Sequence, residues 1–132
     1  MRVAINGFGR IGRTFTRVIQ GQSDIELVAI NDLGNVENLA HLLKYDSIHG
    51  RFPSSIAVAN NRLIIDGKSV AVYSENNPVN LPWKNLNVDL VIESTGLFRK
   101  TDEAKRHIEA GARLVIISAP AADSKTKTVV LG

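Results

Sequence analysis

Apolar residues fall along the chain in two rhythms. Four short unbroken runs, "RVAIN" (2–6), "IELVAIND" (25–32), "VDLVIES" (88–94) and "RLVIIS" (113–118), show no polar alternation. Such runs suit strands buried on both faces of a parallel sheet better than half-solvated ones. Between them the spacing lengthens. Ile11, Phe15, Val18 and Ile19 recur at i, i+4, i+7 and i+8, which predicts an amphipathic helix from Arg10 to about Gln20 that Gly21 ends. In "NVENLAHLLKY", Val36, Leu39, Ala40 and Leu43 hold the same spacing behind Asn35, a candidate cap. A third helix is predicted in "TDEAKRHIEAG" (101–111), between Thr101 as cap and Gly111 as stop.

Residues 56 to 73 break this alternation. Three β-rich runs are separated there by Asn60-Asn61 and by Asp66-Gly67, and Asp-Gly between such runs is a strong hairpin signal. "PVNLPW" (78–83) reads as a loop, and "TKTVVLG" (126–132) begins one more strand. Strands alternating with helices predict an α/β fold. It is a doubly wound, mostly parallel sheet with right-handed crossovers and a small antiparallel excursion near residues 56–73. At 132 residues and 44% hydrophobic, the chain suits one domain with a real core.

Charge changes this picture little. The net charge of +3 comes from 16 basic and 13 acidic residues that are interspersed. There is no basic stripe and no set of stacking aromatics, which argues against a nucleic-acid partner. The chain contains no cysteine, so disulfides, cysteine-bound metals and a thiol nucleophile are excluded within these residues. No metal site is expected. No apolar stretch has the length of a signal peptide or a membrane span, and the expected location is the cytoplasm.

The candidate chemistry lies at the first strand-to-helix turn. "INGFGRIGR" contains Gly7, Gly9 and Gly12 in a G-x-G-x-x-G pattern, with Asp32 at the end of the second predicted strand. Alone the pattern is weak, since glycines also mark ordinary turns. Between a strand and a helix, followed by an acid at this distance, it points to a dinucleotide. Gly7 permits the turn, Gly9 allows the backbone to approach a pyrophosphate, and Gly12 allows close helix packing. The helix N-terminus offers N–H groups to the phosphates. Asp32 would accept from ribose hydroxyls and repel a 2′-phosphate, and no Arg closely follows it, so NAD is favoured over NADP.

"INGFGRIGR", "NDL", "LAHLLKYDSIHGRF", "ESTGLF" and "EAGARLVIISAPA" stand in the order and spacing of the N-terminal half of glyceraldehyde-3-phosphate dehydrogenases. The sequence resembles that family over its whole length. The resemblance implies a Rossmann NAD-binding domain spanning 1–132, with Asn6, Gly7, Gly9, Arg10 and Ile11 around the pyrophosphate and Asp32 on the adenosine ribose. Leu33 matches the NAD-preferring form. Thr95 and Gly96 would line the cofactor crevice beside Phe98, which would help wall the adenine pocket, and Ser118 would lie near the nicotinamide. Where the family often carries an Arg, the chain reads Ser74-Glu75-Asn76-Asn77-Pro78. Any contact there falls to backbone or to Asn76.

In the resembled enzymes, which work in glycolysis, a cysteine attacks the aldehyde and a histidine assists. NAD and phosphate then complete the oxidation of glyceraldehyde 3-phosphate to 1,3-bisphosphoglycerate. The segment with that cysteine and the substrate domain have no counterpart in these residues, so the chain is expected to bind NAD without catalysing. The resemblance also implies a missing catalytic domain as partner and a tetramer in the whole enzyme. Alternatives are the cofactor domain of an erythrose-4-phosphate dehydrogenase, or a stand-alone module binding NAD or RNA. His41, His49 and His107 read as solvated or capping residues, and Trp83 as a loop anchor.

Overall fold

A computed structural model describes residues 1–46, 50–96, 101–118 and 129–131. The first elements are β1 (Arg2–Asn6), α1 (Arg10–Ile19), β2 (Glu26–Asn31) and α2 (Val36–Lys44). A two-residue ribbon of β3 (Tyr45–Asp46) and β4 (Gly50–Arg51) follows. Next come β5 (Ile56–Ala59), β6 (Arg62–Ile65) and β7 (Lys68–Tyr73), then a 3-10 turn at Pro78–Asn80. The chain continues through β8 (Leu90–Glu93), α3 (Thr101–Glu109), β9 (Leu114–Ile117) and β10 (Val129–Leu131).

Eight strands form one sheet in the order β10-β9-β8-β1-β2-β7-β6-β5. The central pairings β9-β8, β8-β1, β1-β2 and β2-β7 are parallel, whereas β7-β6, β6-β5 and β9-β10 are antiparallel. The excursion expected at 56–73 is therefore an extension of the main sheet, joined through β7. Both of its turns carry paired positive φ values, Asn60 and Asn61 at 52° and 58° and Asp66 and Gly67 at 50° and 81°. These are the left-handed pairs of hairpin turns whose twist matches the strands. Asp66 also accepts a hydrogen bond from the Ser55 backbone (2.8 Å). Hydrogen bonds from Ser54 and Ser55 hold its carboxyl below its ordinary value. A depressed carboxyl stabilises the fold above its unfolded value and loses that contribution as pH falls through its folded one. The hairpin should therefore loosen on acidification, and Asp66→Asn should flatten the acid limb of a thermal-melt profile against pH. An unchanged acid limb would count against this contact.

Helices cover both faces. Val3, Ile5, Ile30 and Ile92 pack with Ile19 of α1 and with Val36, Leu39 and Leu43 of α2. On the other face Ala4, Val91 and Val115 pack with Ala104 of α3 and with Leu81 and Trp83. The sheet is thus doubly wound. Asn35 caps α2 by accepting from the Asn38 backbone (2.7 Å). Gly21 and Gly111 follow α1 and α3 at φ 87° and 119°, the left-handed geometry that ends helices. α3 begins at Thr101, whose side chain lies outside the described residues.

The face assigned to α1 needs correction. Its buried residues are Gly12, Thr16 and Ile19, with Phe15 partly buried, while Ile11 and Val18 are exposed. The helical period holds but the phase moves by about one residue. Gly12 lies so close to β1 that a Cβ there would stand 2.6 Å from the Gly7 carbonyl oxygen and 3.0 Å from Ile5. Small residues let the helix dock, and hydrophobicity alone does not mark them.

Candidate functional site

β1, β2, β7 and β8 are parallel neighbours, so their carboxyl ends meet at one sheet edge. β1 is the point at which the chain turns from building one side of the sheet to building the other, where ligands of such folds bind. A cleft of about 320 Å³ opens there, within the usual range of ligand pockets. Its walls are the four loops that follow these strands. They contribute Asn6, Gly7 and Gly9; Asn31, Asp32 and Leu33; Glu75 and Asn76; and Ser94 and Thr95.

The glycine turn is shaped by close contact. Gly7 has φ 92°, and a Cβ there would stand 2.7 Å from the Cγ2 and the backbone nitrogen of Thr95. Gly9 is different, with nothing within 4 Å of a Cβ position. It occupies the N-cap of α1 without a side-chain cap, and no acid stands in the first turn. The first helical bond runs from Arg13 N–H to the Gly9 carbonyl (3.0 Å), so the N–H groups before Arg13 have no carbonyl of their own helix. Open space, donors without a carbonyl of their own helix and the positive end of the helix dipole fit a phosphate group.

Asp32 ties this turn to the second wall. One carboxylate oxygen accepts from the Phe8 backbone (2.7 Å) and the other from the Gly34 backbone (2.8 Å). Each oxygen keeps a further lone pair, so a carboxylate locked between two loops can still accept from a diol. Behind it, Asn31 pairs in both senses with Glu75, accepting from its N–H (2.8 Å) and donating to its carbonyl (2.9 Å). That amide holds the third wall to the second.

Beneath the cleft lies a polar layer that the sequence reading missed. Asn6, Asn31, Glu93 and His107 are all buried. Asn31 Nδ2 donates to Asn6 Oδ1 (2.8 Å), and Asn6 Nδ2 donates to both Glu93 carboxylate oxygens (3.0 and 2.9 Å). Thr95 Oγ1 donates to Glu93 Oε1 (2.9 Å). The Trp83 indole N–H, which can only donate, reaches His107 Nδ1 at 3.0 Å. The ring proton therefore belongs on Nε2, 3.3 Å from Glu93 Oε2. A signal was present, since the strands "RVAIN", "ELVAIN" and "LVIE" each end on a polar residue. Asn6 is in register with both Asn31 and Glu93.

The structure places the other expected residues unevenly. Of the expected set, Asn6, Gly7, Gly9, Asp32, Leu33, Asn76 and Thr95 line the cleft. Arg10 and Ile11 are exposed in the first turn of α1, and Gly12 is buried beneath it. Gly96 follows Thr95 at φ 78°. Ser118 is not in the lining, and its hydroxyl donates to the Glu93 carbonyl (3.1 Å). Phe98 and His49 lie outside the described residues. His41 is exposed and rests against the Tyr45 ring at 5.0 Å. His107 corrects its expectation, because helix α3 turns it inward to the indole. Trp83 is fully buried, the anchor expected. Among the described residues no three His, Asp or Glu side chains group to hold a metal, and no helix is long and apolar enough to cross a membrane.

Comparison with known proteins agrees with this geometry. Residues 1–101 match the family model described as glyceraldehyde 3-phosphate dehydrogenase, NAD binding domain. Among similar proteins, glyceraldehyde-3-phosphate dehydrogenase of Thermotoga maritima is 56% identical over 99% of this chain and 40% of its own length. That of Mycoplasma pneumoniae is 55% identical over 98% of the chain and 39% of its length. The cytosolic enzyme of Trypanosoma brucei brucei is 50% identical over 100% of the chain and 40% of its length. The chain thus spans about two fifths of these relatives. A family model covering most of the chain, over a cleft with an uncapped glycine turn and an acid at the end of the second strand, decides the assignment: the chain belongs to the NAD-binding domain family of glyceraldehyde-3-phosphate dehydrogenases.

Proposed function

We propose that this chain forms the cofactor-holding half of a phosphorylating glyceraldehyde-3-phosphate dehydrogenase, and that by itself it binds NAD without oxidising aldehyde. The observation that carries this reading is a cleft bordered by the glycine turn and Asp32 at the carboxyl ends of parallel strands, in 132 residues without a cysteine. Bound NAD would supply a hydride acceptor. The chain's own groups bind and orient. First-turn N–H groups of α1 and the open space at Gly9 receive the pyrophosphate, Asp32 accepts from the adenosine ribose, and Leu33, Asn76, Thr95 and Gly96 border the adenine side. Ser118, the residue after β9, would serve the nicotinamide end. A thiolate to attack the aldehyde must come from a catalytic domain outside these residues, because no side chain here does that work. The same reading makes the whole protein a cytoplasmic homotetramer.

Two measurements test it. The chain mixed with glyceraldehyde 3-phosphate, phosphate and NAD should give no NADH above background, and steady turnover would overturn the proposal. In calorimetric titration Asp32→Ala should weaken NAD binding by roughly one to two decades, since hydrogen bonds to a charged group contribute about 1.5–3 kcal/mol. Equal affinity in the two proteins would mean that the ribose is held elsewhere.

A further inference from the structure

We infer that Glu93 and His107 are positioning residues for the dinucleotide, acting through a buried relay that joins all four walls of the cleft. The inference rests on the assignment of the cleft to NAD. Neither residue reaches solvent, their side chains being 1% and 0% exposed, so neither can touch a ligand. Their bonds run to groups that can. The relay passes from Trp83 to His107, to Glu93, to Asn6, to Asn31 and on to the backbone of Glu75, with Thr95 branching from Glu93. Its members stand at the ends of β1, β2 and β8 and on α3.

The chemistry at Glu93 is one-sided. Both carboxylate oxygens accept, from the Asn6 amide, from the Thr95 hydroxyl and from the ring N–H of His107. Only a group with two acceptor oxygens answers these donors together. Glutamine has the same shape but turns an N–H₂ toward one of them. Satisfied buried networks hold a single arrangement, and partly satisfied ones do not. A relay that fixes Asn6, immediately before Gly7, also fixes where the glycine turn lies relative to Thr95. Ser94 reinforces that placement by donating to the Gly7 carbonyl at 2.6 Å. His107 in turn needs one acceptor nitrogen and one donor nitrogen, a pairing that a glutamine amide reproduces and a leucine does not.

The test compares NAD affinity with thermal stability across variants of the chain. By titration calorimetry Glu93→Gln should bind NAD at least about tenfold more weakly than wild type, the effect of a little over one buried hydrogen bond. Leu63→Ala is a control in the core, on β6 and away from the cleft. It should lower Tm as much or more yet keep NAD affinity within about twofold. His107→Gln should bind nearly as wild type does, whereas His107→Leu should fall with Glu93→Gln. If Glu93→Gln does not fold, the His107 pair carries the comparison. Equal affinity of the relay variants and wild type, or affinity that simply follows Tm so that Leu63→Ala weakens binding equally, overturns the inference. Failure of wild type to bind NAD overturns instead the assignment of the cleft, and this inference with it.

Discussion

Replacing Gly7 with alanine should abolish measurable NAD binding, weakening it more than about a hundredfold, and should destabilise the chain by about 2–4 kcal/mol. Two costs combine. An L side chain is strained at φ 92°, and its Cβ would press into Thr95 Cγ2, N and Cα at 2.7, 2.7 and 2.8 Å. Two of those three atoms are backbone, so relief requires moving the loop after β8 and not merely turning a rotamer. That loop and the glycine turn are adjacent walls of one cleft, and prising them apart deforms the site at their junction. Gly9→Ala separates ligand approach from folding. It meets no protein atom within 4 Å at the N-cap of α1, so it should lower Tm only modestly, alanine being the poorer cap, while clearly lowering NAD affinity. Calorimetric titration beside a thermal melt reads both variants. Full affinity in Gly7→Ala would refute the close-contact account, and full affinity in Gly9→Ala would mean that no phosphate comes near that position.

Trp83→Ala carries the second large effect, a loss of about 3–5 kcal/mol of stability. That is a substantial share of the 5–15 kcal/mol typical of a whole domain. Trp83 is the largest fully buried side chain and the only tryptophan. It packs edge-on against Tyr73 at 6.3 Å and stacks near His107 at 6.3 Å. Its removal opens a cavity and also takes away the buried donor to His107 Nδ1. Trp83→Phe, which keeps most of the volume but not the N–H, should fall between. Urea unfolding followed by circular dichroism measures both, and a loss under about 1.5 kcal/mol for the alanine variant would show that the site collapses around the gap.

Much of the fold was legible because its strongest signals are local. Unbroken apolar runs marked the parallel strands, Asp66-Gly67 marked a hairpin, and Asn35 marked a cap; each depends on neighbours within a few residues. The phase of α1 was not legible, because Gly12 and Thr16 are buried for their smallness and carry no hydrophobic signal. The ribbon of β3 and β4 has two residues in each strand, too few for any periodicity. β10 joins the edge antiparallel to β9, a pairing that its own three residues do not encode. Within the cleft, Gly7, Gly9 and Asp32 were readable from spacing. Asn31, Glu75, Ser94 and the Glu93–His107 floor were not, since most of their partners are distant in sequence, up to 101 residues away.

β1 has a further consequence in time. Of the strands in the sheet β1 is synthesised before the others, yet it lies in the interior between β2 and β8, and Asn6 is separated from Glu93 by 87 residues. Contacts so distant in sequence form slowly, because a long loop must close before they stabilise anything. During synthesis, which proceeds from the N-terminus, α1 and β2 can pack on β1 early while its other edge stands bare. The glycine turn is thus made before the other walls of the cleft and takes its working shape only after the last of them. Recovery of NAD binding in refolding should accordingly lag behind the recovery of helical signal.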